Sequence, residues 1–299
     1  MTELSKEYPK ASKESLCSIF GYTRQAWYKT DSDLFKEFAN KALLLDEIAN
    51  IRTNAPRIGG LKLYRMLTGL LERNAIKIGR DMFYRFLKEN NLIVRKRKTH
   101  KTTNSAHHFK RFDNLIIGFT PTGPNQLFVS DITYIETEED VYYLSLVMDA
   151  YSRKIVGWAL GDTLEAKHTV RALLMAIESI GEHSLPGLIH HSDRGVQYCC
   201  HNYVNILNEY GIKISMTQSG DPLENAQAER INGILKTEWL YHLKLNNKQE
   251  LLDTLNQIIP FYNEQRPHLS INMLTPNVAH QMSGYIPNLW VKKSKKDVA

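Results

Sequence analysis

An aspartate sits in the middle of the strongest strand signal in this chain. The run Gln126-Leu-Phe-Val-Ser-Asp-Ile-Thr-Tyr-Ile135 alternates and is rich in β-branched and aromatic side chains, which marks an extended segment packed into a sheet. Aspartate is depleted from such strands, and an unpaired buried carboxylate is costly. Asp131 therefore needs a reason to be where it is.

Two further acids supply one. Asp193 closes the short apolar run Leu188-Ile-His-His-Ser-Asp193, which breaks at Arg194-Gly195. Glu229 lies within Pro222-Leu-Glu-Asn-Ala-Gln-Ala-Glu-Arg-Ile-Asn-Gly-Ile-Leu-Lys236, a segment with helical periodicity. Taken singly, each acid also reads as a strand end, a turn former or a solvated helix charge. Taken together, two strand-borne aspartates and a helix-borne glutamate suit hard divalent ions, which take oxygen ligands and leave room for water and substrate phosphate. Two such ions ~3.5–4 Å apart can act on both sides of an in-line displacement at phosphorus. Asp131 is the expected bridge between them, with Asp193 on one ion and Glu229 on the other. On the Glu229 helix, Asn225 and Lys236 fall on the same side, and Lys236 is about 10 Å further along the axis. A carboxylate on metal followed by a cation on DNA phosphate fits that stripe, while Ile231, Ile234 and Leu235 serve for packing.

The chain changes character near Pro121. Beyond it, strands are expected near Leu127–Ile135, Tyr142–Met148, Lys154–Leu160, Leu188–His191 and Ile212–Met216. Helices are expected over Leu164–Ile180, Cys200–Tyr210 and about Pro222 to His242. Three antiparallel strands followed by αβαβα imply an α/β fold: a mixed five-stranded sheet with flanking helices. Before it the pattern is helical. Two short helices span residues 11–20 and 24–28, with Gly21-Tyr22 and a Thr23 cap between them, in helix-turn-helix style. A long helix follows from Asp31 to about Asn54, then a second helix pair at Gly60–Leu71 and Gly79–Asn91. The domains expected are a helical region at 1–94, a basic linker at 95–120, a core at 121–285 and a basic tail at 286–299.

Charge separates the two halves. Residues 1–120 carry 23 Lys/Arg against 12 Asp/Glu, and the remainder carries 15 against 20. A basic front suits phosphate contact, and the acidic excess behind it suits a metal site. Candidate DNA contacts in the front are Arg24, Arg80, Arg85 and the linker run Arg95, Lys96, Arg97 and Lys98. In the back they are Asn225, Arg230 and Lys236. No apolar run approaches the ~18 residues of a membrane span, and the N-terminus has no apolar signal region. The expectation is a cytoplasmic, nucleoid-associated protein without a membrane partner. Three cysteines, two of them adjacent, give no disulfide framework, and Cys199, Cys200 and His201 lack two-pair zinc spacing. His190 and His191 point oppositely if residues 188–191 form a strand, so at most one faces the acids.

Six segments resemble one family in order and spacing: Val129-Ser-Asp-Ile-Thr-Tyr-Ile135, Tyr151-Ser-Arg-Lys-Ile-Val-Gly-Trp158, His191-Ser-Asp-Arg-Gly-Val-Gln-Tyr198, Glu224-Asn-Ala-Gln-Ala-Glu-Arg-Ile231, Leu235-Lys-Thr-Glu238 and Tyr262-Asn-Glu-Gln-Arg-Pro-His268, with Thr275-Pro276 closing the set. They resemble insertion-sequence transposases with a retroviral-integrase-type catalytic core. The resemblance implies a ribonuclease-H-like core whose Asp131, Asp193 and Glu229 bind magnesium or manganese, two ions per site, with Lys236 holding DNA near the transferred end. It also implies a second-frame product of a two-frame element, able to act with an upstream-frame DNA-binding product and as at least a dimer on DNA. The implied activity is cleavage at the 3′ ends of the element's terminal inverted repeats and strand transfer into target DNA. The alternatives are a related nuclease that cuts without joining, and a non-catalytic DNA-binding regulator.

Overall fold

The computed structural model describes residues 8, 12–19, 21, 24–94, 109–181, 185, 187–218 and 222–289; at residues 13, 16, 24–38, 222 and 223 only the backbone is described. The chain divides into two compact units, residues 1–53 with 69–78, and residues 54–68 with 79–299.

In the smaller unit, α1 (Lys13–Ile19) precedes α2 (Arg24–Asn54), which runs unbroken for 31 residues. The sequence reading placed a short helix ending near residue 28 and a separate one from Asp31. The two are a single helix, because Lys29-Thr-Asp31 holds neither glycine nor proline to stop it. Cys17, Leu44, Ile48 and Leu71 are buried.

The larger unit opens with the first half of α3 (Gly60–Arg73) and with α4 (Arg80–Glu89). Leu63, Leu67, Phe83 and Leu87 are buried at helical spacing, and the Tyr64 and Phe83 rings lie 5.4 Å apart. Then comes the sheet: β1 (Leu127–Glu136), β2 (Val141–Asp149), β3 (Ile155–Gly161), β4 (Ile189–Ser192) and β5 (Lys213–Met216). Its order is β3-β2-β1-β4-β5, with β1, β2 and β3 antiparallel and β4 and β5 parallel to β1. This is the mixed five-stranded sheet expected from the alternation, strand for strand. β1 lies at its centre.

Two helical layers enclose the sheet. α5 (Ala166–Ile180) lies against β3 and β2, and a Cβ on Gly157 would strike the Ala172 carbonyl, so glycine sets how closely helix and strand approach. Phe128, Val147, Leu173 and Ala176 form the core there with Leu207 of α7 (His201–Glu209), which follows the short α6 (Val196–Cys199). A 3₁₀ turn (Pro222–Asn225) leads into α8 (Ala226–Glu238), which contacts β1 and β2. α9 (Lys248–Glu264) contacts β3.

α9 is an element the sequence reading did not place. Its start is clear, since the Asn247 side chain accepts from Glu250 N at 3.0 Å, but Pro260 inside it interrupts the helical signal. The chain ends its described part after α10 (Pro276–Ala279). Among the described residues no helix is long and apolar enough to cross a membrane.

Candidate active site

Strand register brings the two aspartates together. β4 pairs with β1 in parallel through Leu127↔Ile189, Phe128↔His190 and Val129↔His191. Continued by two residues, that register sets Asp193 level with Asp131, where β4 has ended and the loop to α6 begins. The two carboxylates lie where the strands part, near enough for the charge of Asp193 to bear on Asp131. Asp193 Oδ1 accepts from Gly195 N at 2.9 Å, a side-chain-to-backbone turn that fixes the carboxylate at the strand end.

Asp131 is half-buried and paired on its other side only by β2, opposite Leu146. Its carboxyl is pushed up to about 7 by burial first, then by the charge of Asp193 and more weakly by that of Glu229, against a lowering hydrogen bond from Asn232. The Asn232 Nδ2 donates to Asp131 Oδ2 at 2.8 Å.

Helix α8 fills the space along β1 that β4 vacates, and its N-terminal end is tied down twice. Asn225 Nδ2 donates to Ser130 O at 3.0 Å, and His191 Nε2 donates to the Glu224 carbonyl at 3.0 Å. With Nε2 donating, His191 Nδ1 accepts from the Ser215 hydroxyl at 2.8 Å, a neutral ring consistent with a pKa lowered by burial. His190 points to the opposite face, its Nε2 2.8 Å from Ser130 Oγ and 2.9 Å from Tyr203 OH. The opposed orientation of the two histidines is the one strand alternation gave.

Glu229 is exposed on α8. Its charge reaches Asp131, yet among the described residues no group of three His, Cys, Asp or Glu side chains closes around one ion. The two aspartates are brought abreast by the sheet, and the glutamate does not complete a single cage with them. Lys236, two turns beyond, is half-buried with its ammonium 4.1 Å from the Tyr134 ring centroid. Burial lowers its pKa, while Asp131 and Glu136 hold it up.

Comparison with known proteins places the chain in a family. Residues 121–222 match one Integrase core domain model and residues 210–276 a second. The insertion element IS600 uncharacterized 31 kDa protein of Shigella sonnei is 38% identical over 267 residues, covering 87% of this chain and 96% of that protein. The transposase for insertion sequence element IS629, also of Shigella sonnei, is 30% identical over 75% of this chain and 74% of its own length. The chain belongs to the insertion-sequence transposases with an integrase core. It is thus a polynucleotidyl transferase of the kind built on two aspartates and a glutamate. Among solved structures, the HTLV-2 integrase catalytic core domain in complex with magnesium is similar over 54% of this chain and 100% of its own, at 21% identity and a TM-score of 0.43.

In this transposase the other sequence-selected residues scatter. Arg80 and Arg85 are exposed on α4, Arg80 Nε donating to Asp81 at 3.0 Å. Arg230 is exposed on α8, and as its neighbour in sequence Glu229 points elsewhere around the helix. Asn225 is buried and its amide is engaged with β1. Arg95, Lys96, Arg97, Lys98 and the Arg24 side chain lie outside the described residues, as do Thr23 and the tail from 290 onward.

Two features of the transposase escaped the sequence reading. Asn232 completes the stripe Asn225, Glu229, Asn232, Lys236 at steps of four, three and four, a spacing that was visible in the sequence. Glu238 is the other: Arg266 grips it with Nε to Oε2 at 2.8 Å and Nη2 to Oε1 at 2.7 Å, and Lys62 Nζ reaches Oε1 at 2.8 Å. The two cations hold this carboxyl down at about 2 despite its burial. Three partners so far apart in sequence leave no local signal.

Proposed function

We propose that the transposase cuts the 3′ ends of its element and joins them to target DNA at Asp131, Asp193 and Glu229, with two divalent ions, Mg²⁺ or Mn²⁺, per site. The observation that carries this reading is the pair Asp131 and Asp193, each two residues beyond the last rung of the parallel β1–β4 ladder, with the charge of Asp193 bearing on Asp131. The donor set fits the ions: all three groups offer carboxylate oxygen, the chemistry hard divalent cations select, and a cation would offset both the burial and the Asp193 charge that raise Asp131. Asp131 and Asp193 would hold one ion together, and Glu229 would serve the second. Bound ions would polarise the scissile phosphodiester and its attacking and leaving oxygens.

The chain's own groups orient the rest. Asn232 fixes one oxygen of Asp131 and leaves the other for a ligand. Lys236, held over Tyr134, offers an ammonium for a phosphate oxygen beyond the reacting one. In the first step the oxygen of water bonds to phosphorus and the 3′ oxygen leaves, taking a proton. In the second that 3′ hydroxyl attacks a target phosphodiester, and the target's own 3′ oxygen departs. Asn225 holds α8 to β1 through its amide nitrogen. The helical front, with Arg80 and Arg85 exposed, grips terminal inverted repeats, and at least two copies bring two ends together, with an upstream-frame product as a further partner.

The test is strand transfer by the full chain on labelled inverted-repeat DNA with magnesium. Asp131→Asn should retain DNA affinity and lose joining by several orders of magnitude. Joining that survives in this variant overturns the assignment.

A further inference from the structure

On the flank of α8 away from the acids there is a cleft of about 200 Å³ whose lining includes Lys62, Arg153, Arg230 and Arg266 and no acidic residue. Its floor is apolar, built from Ile231, Ile234 and Tyr262 among others. Glu238, beside it, is the carboxylate that Lys62 and Arg266 share; its charge also bears on Arg230 and that of Asp149 on Arg153, so four cations face two charges of opposite sign. Arg153 is held in place without any carboxylate: its Nε donates to Ser270 Oγ at 3.2 Å, its Nη1 to the Ala150 carbonyl and the Gln227 side chain. Its hydrogen-bond acceptors are neutral, and the one carboxylate whose charge bears on it, Asp149, lies outside the cleft lining, so the guanidinium can still take a phosphate oxygen. The positive field is also felt by a neighbour. Burial drives the His268 ring well below its ordinary pKa, and Arg266, Lys62, Arg153 and Arg230 push in the same direction.

We propose that this cleft is a second DNA-backbone site, seating a phosphodiester against Arg230 and Arg153 with its deoxyribose on the apolar floor. The proposal rests on the transposase acting on DNA at Asp131 and Asp193. A helix with its side chains is ~10–12 Å across, so a strand that crosses α8 can have one phosphate near Glu229 and Lys236 and another in the cleft. The contact carries no base information, because only phosphate and sugar are met. It makes α8 a ridge gripped from both flanks.

Arg230 provides the cleanest probe, since it is exposed and the hydrogen bonds of Glu238 to Lys62 and Arg266 do not pass through it. The affinity of the full chain for a labelled inverted-repeat duplex is measured over a salt series for the unaltered protein, Arg230→Gln, Arg230→Lys and Arg153→Gln. Each lost phosphate contact lowers the slope of log K against log salt by about 0.9. The expected result is a slope lowered by about one in Arg230→Gln, equally on unrelated duplex, and restored by Arg230→Lys. Arg153→Gln, once its thermal melting shows a folded protein, gives the same loss. An Arg230→Gln protein with unchanged slope and affinity overturns the proposal. Asp131→Asn separates the two readings: joining lost in Asp131→Asn with no slope change in Arg230→Gln sinks the cleft alone, and joining that survives in Asp131→Asn with a lowered slope in Arg230→Gln sinks the catalytic reading alone.

Discussion

The amide of Asn232 and the carboxylate of Asp131 meet at 2.8 Å, so the helix that bears Glu229 also holds the aspartate it must work with. Helix and central strand are thereby registered through a side chain in the site itself, not only through the apolar face of Ile231 and Leu235.

Replacing Asn232 by alanine should release Asp131 Oδ2. Partners that orient a ligating group are worth about 10–100-fold in metal affinity or activity, so strand transfer should fall by that factor. Affinity for inverted-repeat duplex should stay unchanged. Single-turnover joining beside a binding isotherm distinguishes this from a general loss of structure, and a variant that joins strands at the unaltered rate refutes the positioning role.

Stability without metal should depend on pH through Asp131. Its carboxyl, raised to about 7 by burial and by Asp193, binds a proton more tightly folded than unfolded. Its contribution is therefore complete below the unfolded value of about 4 and is lost as pH rises through about 7. Thermal melting in chelator should fall across that window, and Asp131→Asn should abolish this part of the fall. At pH 7 the variant should melt higher by a few degrees, on the order of 1 kcal/mol. Excess magnesium should reverse the order of the two proteins.

Glu238→Gln should be strongly destabilising. It leaves Arg266, which is 1% exposed, without its counter-charge, and breaking such a buried pair costs about 3–5 kcal/mol. Urea denaturation reads this directly. The sign with pH is opposite to that of Asp131: a carboxyl held at about 2 contributes fully above about 4.5 and is lost as pH falls toward 2.

Gly157→Ala should cost about 1–3 kcal/mol or more by forcing α5 off β3. A midpoint in urea unchanged from the unaltered protein would show that the helix can move aside freely.

Much of this was legible in the sequence because the signals are local. The strands around Asp131 and Asp193 announce themselves by alternation and by turns, and the two aspartates come to the same end of the sheet once β4 pairs parallel to β1. The stripe on α8 follows from helical spacing. What stayed hidden depends on distance along the chain or on a disguised local signal. Lys62, Glu238 and Arg266 come from three segments that only the folded chain assembles. The Tyr262-Asn-Glu-Gln-Arg-Pro-His268 motif is visible in the sequence, but its role is not. Asn263 pairs with both backbone groups of Ile155 and Tyr262 donates to the Arg153 carbonyl, so half of the motif secures the β2–β3 turn and half secures the end of α8. α9 was missed because a proline sits within it, and the helix from 24 was divided where no residue breaks it.

The fastenings of α8 bear on how the site can move. At one end Asn225 and His191 hold it to the sheet. At the other Glu238 is clamped by Arg266 and Lys62, Arg57 N donates to the Glu238 carbonyl at 3.2 Å and the Trp239 indole donates to Asn54 O at 2.6 Å. A beam supported at both ends can roll about its long axis or flex its side chains, but it cannot swing. If Glu229 is to approach the aspartates when DNA and ions arrive, the travel must come from a turn of the beam or a change of rotamer, and the glutamate's reach is bounded by its own length.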